Sequence, residues 1–169
     1  RPALGILKRY EERFPSFHEQ VNIAFRYHCK EGNLKWVSLT LWAGADPYAR
    51  GPDIPGDSPD PDEDCSGLEL AAFYGHYDIF KLKNIHLDPN HKYAFELLRN
   101  VCHNDKADLL SMLLEKGYDP KNLEDHGSSL IESLILSMDW EYDPFSFTRK
   151  KKNIDTSLSR EKMKMLHML

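Results

Sequence analysis

The run Gly32-Asn33-Leu34-Lys35-Trp36-Val37-Ser38-Leu39-Thr40-Leu41-Trp42-Ala43-Gly44-Ala45-Asp46-Pro47 decides how the rest of the chain is read. It opens on Gly32 and Asn33, which supply a tight turn. Leu34, Val37 and Leu41 then carry the spacing of a short helix that stops at Gly44. Just upstream, Ser16 and Glu19 have the spacing of a capping box, which predicts a helix from Phe17 to about Lys30. Before Pro15, the residues Leu4, Leu7, Tyr10 and Phe14 repeat at three and four with charges between them, as in an amphipathic helix. Two short helices joined by a glycine turn therefore form a hairpin, preceded by one further helix.

The hairpin recurs. Its first copy ends at Asp46-Pro47, a second at Asp88-Pro89 and a third at Asp119-Pro120, so the Asp-Pro pairs lie 42 and 31 residues apart. Between the predicted helices stand Gly32-Asn33-Leu34, Gly75-His76-Tyr77 and Asp105-Lys106-Ala107. Repeats of this length signal supersecondary units that bury their apolar flanks against one another.

On these residues the chain resembles the ankyrin repeat family. Gly32 to Asp46 follows the half of the pattern that ends in Gly-Ala-Asp. Leu68-Glu69-Leu70-Ala71-Ala72-Phe73-Tyr74-Gly75-His76 follows the other half. The sequence departs from the pattern in lacking the Thr-Pro that opens the first helix, where Ser66-Gly67 stands in the second unit, and in lacking Gly-Ala before Asp88. The resemblance covers about residues 21–136. It implies an all-α helical-hairpin solenoid with an N-terminal capping helix at 1–16 and a repeat domain at 17–169. The units are about 17–47, 65–89, 90–120 and 125–169, the last with its second helix at Ser159 to Leu169.

Two insertions interrupt the units. Residues 48–64 hold Gly51, Pro52, Pro55, Gly56, Pro59 and Pro61, too many breakers for a helix or a central strand, so an extended surface loop is expected. Its six acidic residues, Asp53, Asp57, Asp60, Asp62, Glu63 and Asp64, stand against Arg50 alone and account for the chain's whole net charge of −5. Residues 139–157 combine Trp140, Tyr142, Phe145 and Phe147 with the basic run Arg149-Lys150-Lys151-Lys152, read as a solvated loop of opposite sign.

Composition bounds the rest. At 169 residues, 41% hydrophobic and 29% charged, the chain is long enough to bury a core without disulfides or a structural metal. Mean hydropathy is −0.58, and no run of about 18 apolar residues exists to span a membrane. The acidic balance opposes broad phosphate neutralisation, which disfavours nucleic acid as a partner. Cys29, Cys65 and Cys102 fit neither a disulfide framework nor a zinc pattern, as expected in a reducing, cytoplasmic compartment. In the repeat register Cys29 and Cys102 share the slot of Ala72, so both are expected as small buried hydrophobes.

No constellation carries chemistry. Asp60, Asp62 and Asp64 occupy the first ligand positions of a calcium loop, but Cys65 replaces its glycine and Ala71 its closing glutamate. His86, Asp88 and His91 lack the helical pairing that makes a zinc site rigid, and no phosphate loop or nucleophile elbow appears. His28 and His103 each adjoin a cysteine in sequence, yet neighbours on a helix do not face each other. The expectation is a non-enzyme without metal or cofactor. Trp36 and Trp42 are expected in the core or at its edge, by the size of their apolar surface.

What the repeat leaves free is the concave side of the first helices and the loops. By the resemblance these positions are Arg26, Lys30 and Glu31, then Glu69, Phe73 and Tyr74, then Arg99, His103 and Asn104. With Asp53, Asp57, Asp60 and Asp62 in the acidic loop and Arg149, Lys150, Lys151 and Lys152 in the basic one, they are the candidate contacts to an unidentified protein partner. Phe73 and Tyr74 have an alternative, in which they lie covered beneath the acidic loop. Two other functions stay open. The chain opens on Arg1 and stops at Leu169 within an apolar pattern, as an excerpt would, so it could be the regulatory part of a larger enzyme or effector. The aromatic and basic insertion could instead bind single-stranded nucleic acid. The oppositely charged loops also allow self-association.

Overall fold

The computed structural model describes residues 2–51, 64–103, 106–120, 130, 140–143, 148–151 and 156–169, and at 2–4, 103, 140–143, 148–151, 156–159 and 161 it describes the backbone. The chain is mostly helical and divides into two compact units, Arg1–Leu87 and Asp88–Leu169.

The first unit begins with helix α1 (Pro2–Arg13), ended by the Phe14-Pro15 step, and continues with α2 (Phe17–Lys30). Gly32 (φ 67°) turns the chain into α3 (Leu34–Trp42), whose Asn33 cap accepts from Trp36 N at 3.4 Å, and Gly44 (φ 98°) closes that helix. Strands β1 (Arg50–Gly51) and β2 (Cys65–Ser66) then pair antiparallel, Arg50 with Ser66 and Gly51 with Cys65, and bracket residues 52–63. Helix α4 (Gly67–Phe73) follows without a break. The expected second arm of this hairpin is a five-residue 3-10 turn, Tyr77–Lys81, in place of an α-helix. Ile79 and Phe80 still reach the core from it.

Packing within this unit sets one hairpin on the next. Helix α2 lies against both α3 and α4, and the 3-10 turn lies against α3. Gly67 permits the closest approach, because a Cβ there would collide with the ring of Phe25 and stand 3.2 Å from Cys29 Sγ. Phe25, Cys29, Val37, Leu68, Ala71, Ala72 and Ile79 form the buried centre. Cys29 behaves as the small hydrophobe expected, and burial pushes its thiol pKa up, so the thiolate is suppressed.

The second unit contains α5 (Ala94–His103) packed on α6 (Ala107–Glu115), with α7 (Thr156–Met168) also against α6. Leu97, Leu98, Val101, Cys102, Leu109, Leu110, Leu113, Tyr118 and Met165 are buried, as is Leu130. The second insertion contains a strand pair that takes in Arg149, Lys150 and Lys151 of the basic run. Strand β3 (Trp140–Asp143) runs antiparallel to β4 (Thr148–Lys151), with Glu141 opposite Lys150 and Tyr142 opposite Arg149. Aromatic and threonine residues favour the extended backbone at these positions.

Candidate partner-binding surface

Helix α4 is short, and local chemistry defines its start. Ser66 sits in the extended region (φ −83°, ψ 162°), where its hydroxyl accepts from Glu69 N at 3.2 Å while Glu69 Oε2 accepts from Ser66 N at 2.8 Å. This reciprocal box satisfies two backbone donors that a helix start otherwise leaves open. The box expected at Ser16 does not form, because Ser16 has ψ near 6° and its side chain caps nothing. The same Ser-x-x-Glu spacing thus closes only where the cap residue leaves the helical region.

Glu69 has a second role. Its Oε1 receives Arg50 Nη2 at 3.2 Å, while Arg50 Nε donates to Asp64 O at 2.9 Å. Arg26 lies across the same base, its guanidinium against Gly51, where a Cβ would make it shift. Arg50 therefore ties the two ends of the acidic insertion together and to Glu69, with Arg26 packed against Gly51. Glu69 is 3% exposed, and Arg26 and Lys30 are buried as well. This corrects the expectation that these three stand open to a partner: their charged ends are drawn into the base of the insertion and the flank of α4.

Phe73 and Tyr74 are placed differently. At the end of α4 they are 46% and 38% exposed, with ring centroids 5.2 Å apart and planes 77° apart, and residues 52–63 of the acidic loop lie outside the described residues. Lys30 Nζ stands 5.6 Å from the Tyr74 centroid, a cation on the face of the ring. Beside it His76 Nε2 is 2.8 Å from Lys30 O, which ties the turn after α4 to the end of α2. The result is an aromatic pair, each ring partly exposed and Tyr74 turned toward an ammonium group, suited to gripping an apolar or cationic protein side chain.

The remaining candidates are scattered. Glu31 is exposed at the end of α2, and Arg99 is exposed on α5 in the second unit. The backbones of His103 and of Arg149, Lys150 and Lys151 lie in α5 and β4, with side chains outside the described set. Asn104, Lys152, Phe145, Phe147, Asp53, Asp57, Asp60, Asp62 and Glu63 lie outside the described residues. Among the described residues, no group of three or more His, Cys, Asp or Glu could hold a metal, and no helix is long and apolar enough to cross a membrane.

Sequence reasoning missed Trp36 and Trp42. Both were expected in or beside the core, yet they are 46% and 44% exposed. Trp36 stacks on His28 at 5.4 Å between centroids, with planes 16° apart. The signal was available in α3 itself, which is apolar nearly all round and so cannot bury every large residue against a single neighbouring layer. Comparison with models of protein families and with curated proteins finds no match to this chain.

Proposed function

We propose that this chain is a non-catalytic protein-interaction module built as an ankyrin-type helical-hairpin solenoid. It presents the exposed end of its first helices and the acidic, proline-rich loop to a protein partner. The observation that carries this reading is the Phe73–Tyr74 pair, aromatic surface partly exposed at the end of a helix that also holds the Arg50–Glu69 ion pair. Such rings lose little conformational freedom on binding, so their burial converts efficiently into affinity. The clasp of half-buried Arg50 on buried Glu69 supports the reading by anchoring the base of the acidic insertion on the same helix. Cys29, Cys65 and Cys102 are thiols outside any disulfide, which suits a cytoplasmic setting where thiols stay reduced.

The test is affinity capture from the native source with the wild-type chain and with the Phe73→Ala/Tyr74→Ala double variant, read by mass spectrometry. The double variant is expected to lose the principal captured protein while its thermal midpoint moves by only a few degrees. Equal capture by both chains would sink the assignment, and so would outright unfolding of the variant, because the rings would then be core.

A further inference from the structure

The proposed function uses the end of α4 and leaves α3 unexplained. Of the nine residues of α3 only Val37 and Thr40 are buried. Lys35, Leu39 and Trp42, spaced i, i+4 and i+7, share the outward face, and no described element covers Leu39 or Trp42. Between this face and the segment after the 3-10 turn lies an open groove of about 530 Å³ lined by Lys35, Ser38, Leu39, Trp42, Lys83 and Asn84.

Two features make it a built surface. Asn84 Nδ2 donates to Ser38 O at 3.0 Å and Ser38 Oγ donates to Asn84 Oδ1 at 3.4 Å, so the two walls are cross-linked before anything binds. The charged residues of the lining are both lysines, with no carboxylate among them, and among the described residues neither Lys35 nor Lys83 forms an ion pair. On its other side Trp42 also walls a smaller hollow with Leu7 and Phe17, where the apolar strip continues toward α1 and the charges are balanced, Lys8 against Glu11.

We propose that the outward face of α3 is a second docking site, which takes an acidic protein segment by seating its apolar side chains beside Leu39 and Trp42 while its carboxylates meet Lys35 and Lys83. The apolar contact holds the segment. The lysines select its sign and speed its arrival, which makes binding salt-sensitive. The polar groups of Ser38 and Asn84 stand beside Leu39 and Trp42, so the face accepts individual side chains, whereas a lipid surface calls for an apolar face without such groups. A second copy of this chain would bring a net charge of −5, but its acidic stretch 53–64 contains a single large apolar residue, Ile54, and so offers little to anchor.

The experiment selects random 12-residue peptides displayed on phage against the full chain, then titrates a synthetic copy of the most enriched peptide while following tryptophan emission. Enrichment of aromatic or leucine residues flanked by Asp and Glu is expected, with an emission shift to shorter wavelength on binding. Trp42→Ala should weaken binding at least tenfold, and the Lys35→Glu/Lys83→Glu double variant should do the same and flatten the salt dependence. Tyr74→Ala should leave it unchanged, which separates this site from the one proposed above. All these positions are solvent-exposed, and equal thermal midpoints establish that each variant is folded. The proposal is overturned if enriched peptides carry no acidic bias, or if they bind the Trp42→Ala or lysine-reversed chain as tightly as wild type. It is also overturned if vesicles of phosphatidylcholine and phosphatidylserine shift the emission where peptides do not, or if the wild type sediments as a dimer that Trp42→Ala converts to monomer.

Discussion

Single atoms decide several positions. At Gly67 a methyl group would meet the ring of Phe25 and Cys29 Sγ in the centre of the first unit, where both neighbours are fully buried and cannot step aside. Gly67→Ala is therefore expected to lower stability by about 1–3 kcal/mol, the usual cost of overpacking, despite alanine's better helix propensity. Gly5 provides the contrast, because a Cβ there meets nothing within 4 Å and the residue lies inside α1. Gly5→Ala should raise stability by up to about 1 kcal/mol, and urea denaturation of the two variants checks the pair. Glu69 is a position of another kind. Glu69→Ala removes a capping acceptor and leaves Arg50 without the carboxylate on which its guanidinium rests, so a loss of about 2–3 kcal/mol is expected by the same measurement.

At the scale of elements, the neighbourhood of His28 adds a pH dependence. Burial holds His28 below its usual value of 6.5, only partly opposed by the charge of Glu31, and its Nδ1 is buried without a hydrogen-bond partner where the ring stacks on Trp36. The folded state thus favours neutral imidazole. As pH falls through about 6.5 the unfolded chain takes up this proton first, so stability is full above that value, declines below it and levels off once the folded form protonates too. Urea midpoints across pH 5 to 8 should show this decline, and His28→Phe, which keeps the stack, should make it shallower. Helix boundaries were largely legible in the sequence, because Pro15, Gly32 and Gly44 act locally: α2 spans Phe17–Lys30 as its pattern predicts, and α3 ends two residues before Gly44. The capping boxes were not legible, since Ser16 and Ser66 offer the same spacing and differ only in backbone ψ. Burial of Arg26, Lys30 and Glu69 was hidden for a related reason. It depends on residues brought in from β1, β2 and the end of α4, which no local pattern reports. Ser66→Ala should cost about 1 kcal/mol, whereas Ser16→Ala should change stability by less than about 0.5 kcal/mol.

For the whole molecule, the solenoid proposed above makes a demand that neither unit meets alone. Each unit has its own buried centre, around Phe25 in the first and around Leu110 in the second. A solenoid of so few repeats unfolds as one cooperative array, which is the behaviour that the proposal requires of this chain. The tryptophans divide in a useful way, with Trp36 and Trp42 in the first unit and Trp140 in the second. A Trp36→Phe/Trp42→Phe chain reports fluorescence from the second unit alone, and a Trp140→Phe chain from the first. Their urea transitions are expected to coincide. Phe25→Ala, which removes about 3–5 kcal/mol from the first core, should then pull down the midpoint reported by Trp140, and Leu110→Ala, worth about 2–5 kcal/mol, should pull down the one reported by Trp36 and Trp42. If each substitution moves only the transition of its own unit, the units unfold independently and the stacked arrangement is wrong, while the aromatic pair on α4 and the groove on α3 would remain as properties of the first unit.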